Sequence, residues 1–136
     1  MTIVVAAVIE RDGLILIGQR RNSGSHALKW EFPGGKVEEP ESNEAALVRE
    51  LKEELDIEAR IAGEIMRYEY RYGRRKPFLL VFFRVEDFDG EPRNLVFEQI
   101  QWVKREDFDK YDFLEGDAPF IRCLGNGPGN PAFKRN

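Results

Sequence analysis

The segment from Gly34 to Ile57 constrains the fold of this chain most, because it joins a glycine turn to a stretch rich in carboxylates. No proline or glycine interrupts residues 43 to 55, which is typical of a helix. Ser42 precedes them, and a serine hydroxyl there satisfies one of the unpaired N–H groups of a first helical turn. The sequence therefore predicts an α-helix over residues 43–55 with Ser42 as its N-cap.

This predicted helix separates apolar from acidic side chains. A buried stripe with spacings of three and four is formed by Ala45, Leu47, Val48, Leu51 and Leu55. The acidic side chains have the same spacing and are expected on roughly the opposite side: Glu50, Glu53 and Glu54. Only Arg49 is placed to relieve their repulsion. Two explanations remain open from spacing alone, a solvated acidic face and a site for a hard divalent cation, which prefers oxygen ligands.

The same segment resembles the Nudix box, GX5EX7REUXEEXGU, in which U is an apolar residue. The matching residues are Gly35, Glu41, Arg49, Glu50, Leu51, Glu53, Glu54 and Ile57. Asp56 is the one departure, since the family has glycine there. Because aspartate tolerates a left-handed backbone better than most residues, we expect Asp56 to cap the helix without loss of function. The resemblance extends from about Val4 to about Leu124 and implies the α/β/α Nudix sandwich.

The remaining pattern predicts one domain over residues 1–124 and a flexible tail over residues 125–136, which is rich in Gly, Pro and Asn. Strands are predicted over residues 2–9, 14–18, 58–70, 78–85 and 96–103, with the first two forming a hairpin. A short helix is predicted from Asp117 or Ala118 to Leu124. Strand pairs around a central helix predict an α+β class, with a mixed sheet between helices.

Charge and composition exclude several classes of partner. The 136-residue chain has a net charge of −4, which argues against general binding to nucleic-acid polymers or acidic membranes. It has no apolar run of the ~20 residues that a membrane span needs. Its single cysteine, Cys123, excludes an internal disulfide framework. We expect a cytoplasmic protein, and the sequence leaves open whether it is a monomer or a homodimer.

The Nudix resemblance implies hydrolysis of a nucleoside diphosphate linked to another group, with Mg²⁺ or Mn²⁺ as cofactor. Carried over to this sequence, it implies Glu53 and Glu54 as metal ligands, with Glu50 supporting or sharing a metal. The carbonyl of Gly34 is expected as a further ligand, and Arg49 is expected to orient the glutamates. Glu98, outside the box, is predicted as a metal ligand or general base. The alternative for Glu98 is an ordinary exposed strand residue.

Substrate-binding residues are predicted from charge and position. Arg20 and Arg21, at the exit of the second strand, are suited to phosphate, and Arg71 lies in a basic turn suited to a base or to phosphate. For each of these arginines a solvated surface residue is the alternative. Glu31 and Asp117 complete the set, with Asp117 accepting a hydrogen bond from an exocyclic amine or serving only as a helix cap.

The run from Lys29 to Lys36 is similar to the MutT-type branch, which cleaves nucleoside triphosphates to the monophosphate and pyrophosphate. Within that branch the chain looks closer to the CTP pyrophosphohydrolase group, which favours a cytosine or other pyrimidine nucleotide as substrate. An 8-oxo-dGTP sanitising hydrolase is the alternative. From another class, the fold also suits a nucleotide-sensing module that binds without cleaving.

Overall fold

The computed structural model describes residues 1–125, so the predicted tail, apart from Gly125, lies outside the described residues. The elements in chain order are β1 (Thr2–Arg11), β2 (Leu14–Gln19), β3 (Trp30–Glu31), β4 (Gly34–Lys36), α1 (Asn43–Leu55), β5 (Glu58–Arg60), β6 (Gly63–Tyr70), β7 (Phe78–Val85), β8 (Asp87–Asp89), β9 (Gln99–Val103) and α2 (Ala118–Gly125). Two 3₁₀ helices, Arg105–Lys110 and Glu115–Asp117, precede α2.

A mixed sheet lies at the centre of the molecule. Its strands follow the order β3-β2-β1-β7-β6, while β4 also pairs with β1 and β9 also pairs with β2. Strands β1 and β7 run parallel and the other pairs of this sheet are antiparallel. The predicted hairpin is present, with Arg11 opposite Leu14. Strands β5 and β8 form a separate two-stranded sheet.

Two hydrophobic cores cover the two faces of the sheet. Val5, Ala7 and Ile9 of β1 pack towards α1, whereas Ala6 and Val8 pack towards the C-terminal helices. Because successive side chains of a strand point to opposite faces, a stretch of strand that is buried on both sides is apolar, as residues 3–9 of β1 and 78–83 of β7 are. The expected layers, helix, mixed sheet and helix, are confirmed.

Helix α1 begins and ends as predicted. The Ser42 hydroxyl oxygen accepts a hydrogen bond from the Ala45 N–H at 3.1 Å. Asp56 follows the last turn in the left-handed conformation, with φ of 56°, and its N–H donates to the Lys52 carbonyl. Aspartate therefore serves as the cap for which the family pattern has glycine.

The prediction of which side chains α1 buries was partly wrong. Its buried residues are Ala46, Leu47, Leu51, Glu54 and Leu55, while Ala45 is exposed and Val48 is half-buried. Glu54 follows Leu51 by three residues and Leu47 by seven, so helical geometry places it on their side of the helix. One carboxylate of the acidic cluster is therefore turned into the protein, and Glu53 remains exposed.

Two strand predictions also need correction. The strand predicted over residues 58–70 is divided, because β5 pairs with β8, a strand that the sequence did not indicate. The strand predicted from Val96 begins only at Gln99. The side chain of Asn94 bonds both the N–H and the carbonyl of Phe97, which holds residues 94–97 in a turn. Over the described residues, no helix has the length and apolar character to cross a membrane.

Candidate active site

The glycine turn brings the α1 carboxylates against the backbone of the sheet. Gly34 and Gly35 lie in β4, which pairs with β1. The Gly34 N–H donates to Glu54 Oε1 at 3.3 Å. A Cβ atom added at Gly34 would overlap the Val5 carbonyl oxygen, and one added at Gly35 would lie 2.5 Å from the Glu50 carboxyl carbon. Glycine at both positions therefore makes this close approach sterically feasible.

Arg49 ties the glycine turn to the helix. Its guanidinium donates to both carboxylate oxygens of Glu41, at 2.6 and 3.1 Å, and to the carbonyl of Lys36 at 3.1 Å. It also pairs with Glu50 at 3.0 Å and with Glu53 at 3.5 Å. Hydrogen bonding to Arg49 lowers the pKa of Glu41. Arg49 is thus bonded to Glu50 and Glu53, two of the three glutamates that it was predicted to orient, and Glu41 is its bidentate partner.

Glu54 and Glu50 form a crowded, partly buried carboxylate pair. The Glu54 side chain is buried, and this burial, a hydrogen bond with Glu50 and the charges of Glu31 and Glu50 raise its pKa far above the ordinary value. The pair therefore needs a proton or a cation to offset its charge. Within residues 1–125, the side chains as placed form no group of three acidic, histidine or cysteine residues around one point. The oxygen donors present nevertheless suit a hard divalent ion.

A cavity of about 550 Å³ opens beside this pair. Its walls include Glu54, Gly34 and Gly35 together with the predicted substrate residues Arg20, Arg21, Glu31 and Asp117. The structure thus places four of the five predicted substrate residues on the walls of one cavity with a carboxylate of the box. A drug-sized or nucleotide-sized ligand fits cavities of this size.

Arg20 and Glu31 form an ion pair on the cavity wall, with Arg20 Nη1 3.2 Å from Glu31 Oε1. Burial raises the pKa of Glu31, and the charge of Arg20 works against this shift. The Nε atom of Arg20 is the only fully buried side-chain nitrogen or oxygen without a hydrogen-bond partner in the described part of the chain. Arg20 thus brings a positive charge to the cavity wall, which suits an anionic ligand.

Asp117 is the most deeply buried acidic side chain of the cavity, with 5% of the residue exposed. Burial, and then the charge of Glu31, raise its pKa well above the ordinary value of 3.8. It directly precedes Ala118, the first residue of α2, and therefore occupies the position predicted for the cap of that helix. It also lines the cavity, so both predicted roles, helix cap and contact with a base, stay open.

The raised pKa of Asp117 makes folding stability depend on pH. The folded state binds this proton more tightly than the unfolded state, so its contribution is complete below the ordinary pKa and is lost as the pH rises through the folded pKa. An asparagine at this position would not titrate. We expect the Tm of Asp117→Asn, minus that of the wild type, to increase from about pH 4 to about pH 8 in thermal denaturation with EDTA. A difference that does not change with pH would contradict this assignment.

Arg71 and Glu98 are not among the residues that line the cavity. Both are exposed, and Glu98 donates its backbone N–H to the Gln19 carbonyl at 2.8 Å. Glu53 is also turned outwards, with 58% of its side chain exposed beside Arg49. The roles assigned to these three residues stay predictions.

The neighbours of Arg71 and Glu98 in the sequence line the cavity instead. Tyr72 and Phe97 contribute to its walls, together with Phe78, which stacks on Tyr72 at 6.1 Å between ring centroids. His26 also lines the cavity, and its ring lies 4.7 Å from that of Tyr72. The alternating tyrosines at positions 68, 70 and 72 are the sequence signal that could have indicated this wall.

A model of the NUDIX domain family matches residues 1–124, which include the glycine turn, the box helix and the cavity. The chain belongs to this family. The predicted Nudix relationship is therefore confirmed for almost the whole described part of the chain.

Named Nudix relatives have more than one activity. The chain is 41% identical over 121 residues to a CTP pyrophosphohydrolase of Escherichia coli, with 89% of each chain covered. It is 34% identical over 128 residues to an 8-oxo-dGTP diphosphatase of Haemophilus influenzae, with 93% of each covered. The solution structure of the E. coli ORF135 protein superposes with a TM-score of 0.81 and 38% identity, covering 95% of this chain and 94% of that one. Such relatives confirm the predicted class of hydrolase at the level of the family.

Proposed function

We propose that this Nudix protein is a divalent-metal-dependent pyrophosphohydrolase that cleaves nucleoside triphosphates to the monophosphate and pyrophosphate, with a preference for cytosine nucleotides. The observation that carries the proposal is that Glu54 of the box and the buried carboxyl group of Asp117 line the same cavity. A single nucleotide bound there would present its phosphates to the box and its base to Asp117.

The metal would be held by Glu53, Glu54 and Glu50, with the Gly34 carbonyl as a further ligand. This set fits because Arg49 pairs with Glu50 and Glu53 but not with Glu54, so the buried carboxyl group of Glu54 is left to be offset by another cation. When bound, Mg²⁺ or Mn²⁺ supplies charge neutralisation at phosphate oxygens and acidifies water.

The remaining steps are assigned to side chains of this chain. Arg20 offers the positive charge of its guanidinium to the phosphates, and Arg21, fixed by its bond to the Val96 carbonyl at 2.8 Å, adds a second positive charge at the cavity. A carboxylate accepts the proton of the attacking water, which does not require histidine. Glu98 is the proposed base from outside the box, and the box glutamates are the alternative.

Asp117 is proposed to recognise the base. In either protonation state a carboxyl group keeps an oxygen that accepts a hydrogen bond, and cytosine carries an exocyclic amine that uracil lacks. Burial strengthens the contribution of such a bond to selectivity, because a buried polar group left without its partner is costly. The first test is a panel of common nucleoside triphosphates, 8-oxo-dGTP, ADP-ribose and diadenosine polyphosphates with Mg²⁺, with products separated by chromatography.

The panel separates the candidate functions. Monophosphate and pyrophosphate from CTP or dCTP in preference to other nucleotides would support the proposal. A preference for 8-oxo-dGTP would support the second candidate, which the 34% identity to a named 8-oxo-dGTP diphosphatase favours. Cleavage of ADP-ribose alone would contradict both candidates. Absence of turnover with every nucleotide would support the nucleotide-sensing module that binds without cleaving. The cytoplasmic location and the choice between monomer and homodimer stay predictions.

Asp117→Leu is expected to weaken the preference for CTP over UTP about tenfold in kcat/KM, with little change for UTP. Leucine has about the size of aspartate but no atom that accepts a hydrogen bond, and base contacts of this kind contribute ~1–3 kcal/mol to discrimination. Kinetics with both nucleotides measure the ratio. Asp112→Leu serves as a matched control, because Asp112 is exposed on the surface and pairs with Lys29. An unchanged ratio in Asp117→Leu would contradict the role of Asp117 in base recognition.

A further inference from the structure

Three tyrosines that alternate at the end of β6 all contact the segment that precedes Asp117. Tyr68 and Tyr70 are alternate residues of β6, and Tyr72 follows two residues after the end of that strand. Because the hydroxyl groups of all three bond the same short segment, we call these residues the tyrosine ladder. Their hydroxyl groups meet residues Glu115 and Gly116 of the second 3₁₀ helix. Within the described residues, the ladder thus connects an edge strand of the sheet to the loop that carries Asp117.

Two of these tyrosines satisfy the backbone of Gly116. The Tyr68 hydroxyl donates to the Gly116 carbonyl at 2.7 Å, and the Gly116 N–H donates to the Tyr72 hydroxyl oxygen at 2.9 Å. A Cβ atom at position 116 would lie 2.7 Å from the Tyr72 oxygen, so a side chain there would displace the ladder. The third hydroxyl, of Tyr70, bonds only the exposed side chain of Glu115.

Asp117 is therefore attached to a residue whose two backbone polar groups are both held by side chains from β6 and its continuation. Burial is the largest cause that raises the pKa of Tyr68 and of Tyr72, and the charge of Asp117 is a further cause for each. Both hydroxyl groups thus lie within electrostatic range of its carboxylate. The N-terminal end of the same segment is also held, because the Leu114 N–H donates to the carbonyl of Trp30 at 2.9 Å. Trp30 directly precedes Glu31 in the sequence.

We infer that Tyr68 and Tyr72 are positioning residues for Asp117, and that the tyrosine ladder thereby sets how well the enzyme distinguishes one nucleobase from another. This inference rests on the proposed role of Asp117 in base recognition. The two tyrosines act through Gly116, so their effect is on the placement of the carboxyl group and not on the phosphates.

The tyrosine ladder and the box helix lie on opposite faces of the sheet, so loss of the ladder should change base discrimination and not turnover itself. Tyr68 packs in the core on the α2 side of the sheet, whereas the buried face of α1 belongs to the opposite core. Loss of a hydroxyl group leaves a buried polar group of Gly116 unpaired, and the turn must shift to satisfy it. Discrimination between bases should therefore fall, while turnover of a nucleotide that does not use the Asp117 contact should be preserved.

The experiment compares three variants, Tyr68→Phe, Tyr72→Phe and the double variant of these two, with Tyr70→Phe as the control. Phenylalanine keeps each ring, including the cavity wall at position 72, and removes only the hydroxyl group. We expect Tyr68→Phe, whose ring is not among the residues that line the cavity, to lower the CTP-to-UTP ratio of kcat/KM about tenfold, with kcat/KM for UTP within about threefold of the wild type. The double variant should lower the ratio at least as much. Tyr70→Phe, which loses only a bond to an exposed side chain, should keep the ratio of the wild type. Equal losses for both nucleotides would overturn the inference.

Hydrogen exchange distinguishes failure of the ladder from failure of the proposed substrate. In Tyr72→Phe the Gly116 amide should exchange at least about tenfold faster than in the wild type, whether or not any nucleotide is cleaved. An unchanged exchange rate would show that the Tyr72 hydroxyl does not hold the Gly116 N–H, and it would overturn the inference. A wild type that prefers 8-oxo-dGTP would refute the cytosine preference alone, and the variants would then be scored on the ratio of 8-oxo-dGTP to dGTP. Faster exchange with an unchanged ratio would overturn the role in specificity.

Discussion

Glu54→Gln should reduce nucleotide hydrolysis by at least about a thousandfold in kcat, because metal-assisted charge stabilisation contributes several kcal/mol to the transition state. The amide keeps the size of the side chain and an oxygen that accepts from the Gly34 N–H. It removes the negative charge that the proposed cation needs at the buried position of the box. The measurement is steady-state kinetics with the best nucleotide of the panel at saturating Mg²⁺.

The same substitution should leave the fold intact. A buried carboxyl group with a raised pKa disfavours its charged form, so a neutral amide removes a cost of folding when no cation is present. The metal-free Tm of Glu54→Gln should therefore equal or exceed that of the wild type at neutral pH. Added Mg²⁺ should raise the Tm of the variant less than that of the wild type, since at a given concentration a ligand that binds the folded state more weakly stabilises it less.

Glu44→Gln is the matched control for this prediction. Glu44 lies in the first turn of the same helix and is exposed, so its neutralisation should change kcat by less than about twofold. Full turnover in Glu54→Gln would refute the proposed metal site. A large fall in its metal-free Tm would instead show that the charge of Glu54 supports the fold.

The features that the sequence predicted well are those fixed by neighbouring residues. The limits of α1 depend on Ser42 and Asp56, which lie directly at its ends, and both caps are present. The hairpin of β1 and β2 depends on a short turn between two apolar strands, and it also formed as predicted. Local chemistry decides such features, so no knowledge of distant contacts is needed.

The features that the sequence did not predict depend on contacts between distant residues. Strand β8 forms because it pairs with β5, and Arg60 contacts Asp87 and Asp89 across that pair. Tyr72 lines the cavity and the adjacent Arg71 does not, and Phe97 lines it and the adjacent Glu98 does not. Both pairs lie outside the strands, where the direction of a side chain depends on tertiary contacts. A prediction that misplaces such a residue by one position therefore selects the wrong side chain.

Gly34→Ala should be the most destabilising single substitution in the glycine turn. Its Cβ atom would overlap the Val5 carbonyl oxygen and lie 2.8 Å from the Ala6 Cα atom, both in the backbone of a central strand. Neither atom can move without disturbing the pairing of β1 with β4 and β7. Overpacking against fixed backbone should cost at least about 3 kcal/mol, which lowers the Tm by about 10 °C or prevents soluble expression.

Gly35→Ala should behave differently, although it is one residue away. Its Cβ atom would meet the Glu50 carboxyl group, with the carboxyl carbon at 2.5 Å, and that group ends a rotatable side chain. Glu50 can turn aside at little cost to stability, so the Tm should stay within about 3 °C of the wild type. Its displacement from Glu54 and from Arg49 should lower kcat at least about tenfold, since ligands must be held in place for catalysis. Loss of folding in Gly35→Ala with a stable Gly34→Ala would reverse this order and show that the turn does not pack against β1 as described. Normal activity in a folded Gly35→Ala would show that Glu50 takes no part in the reaction.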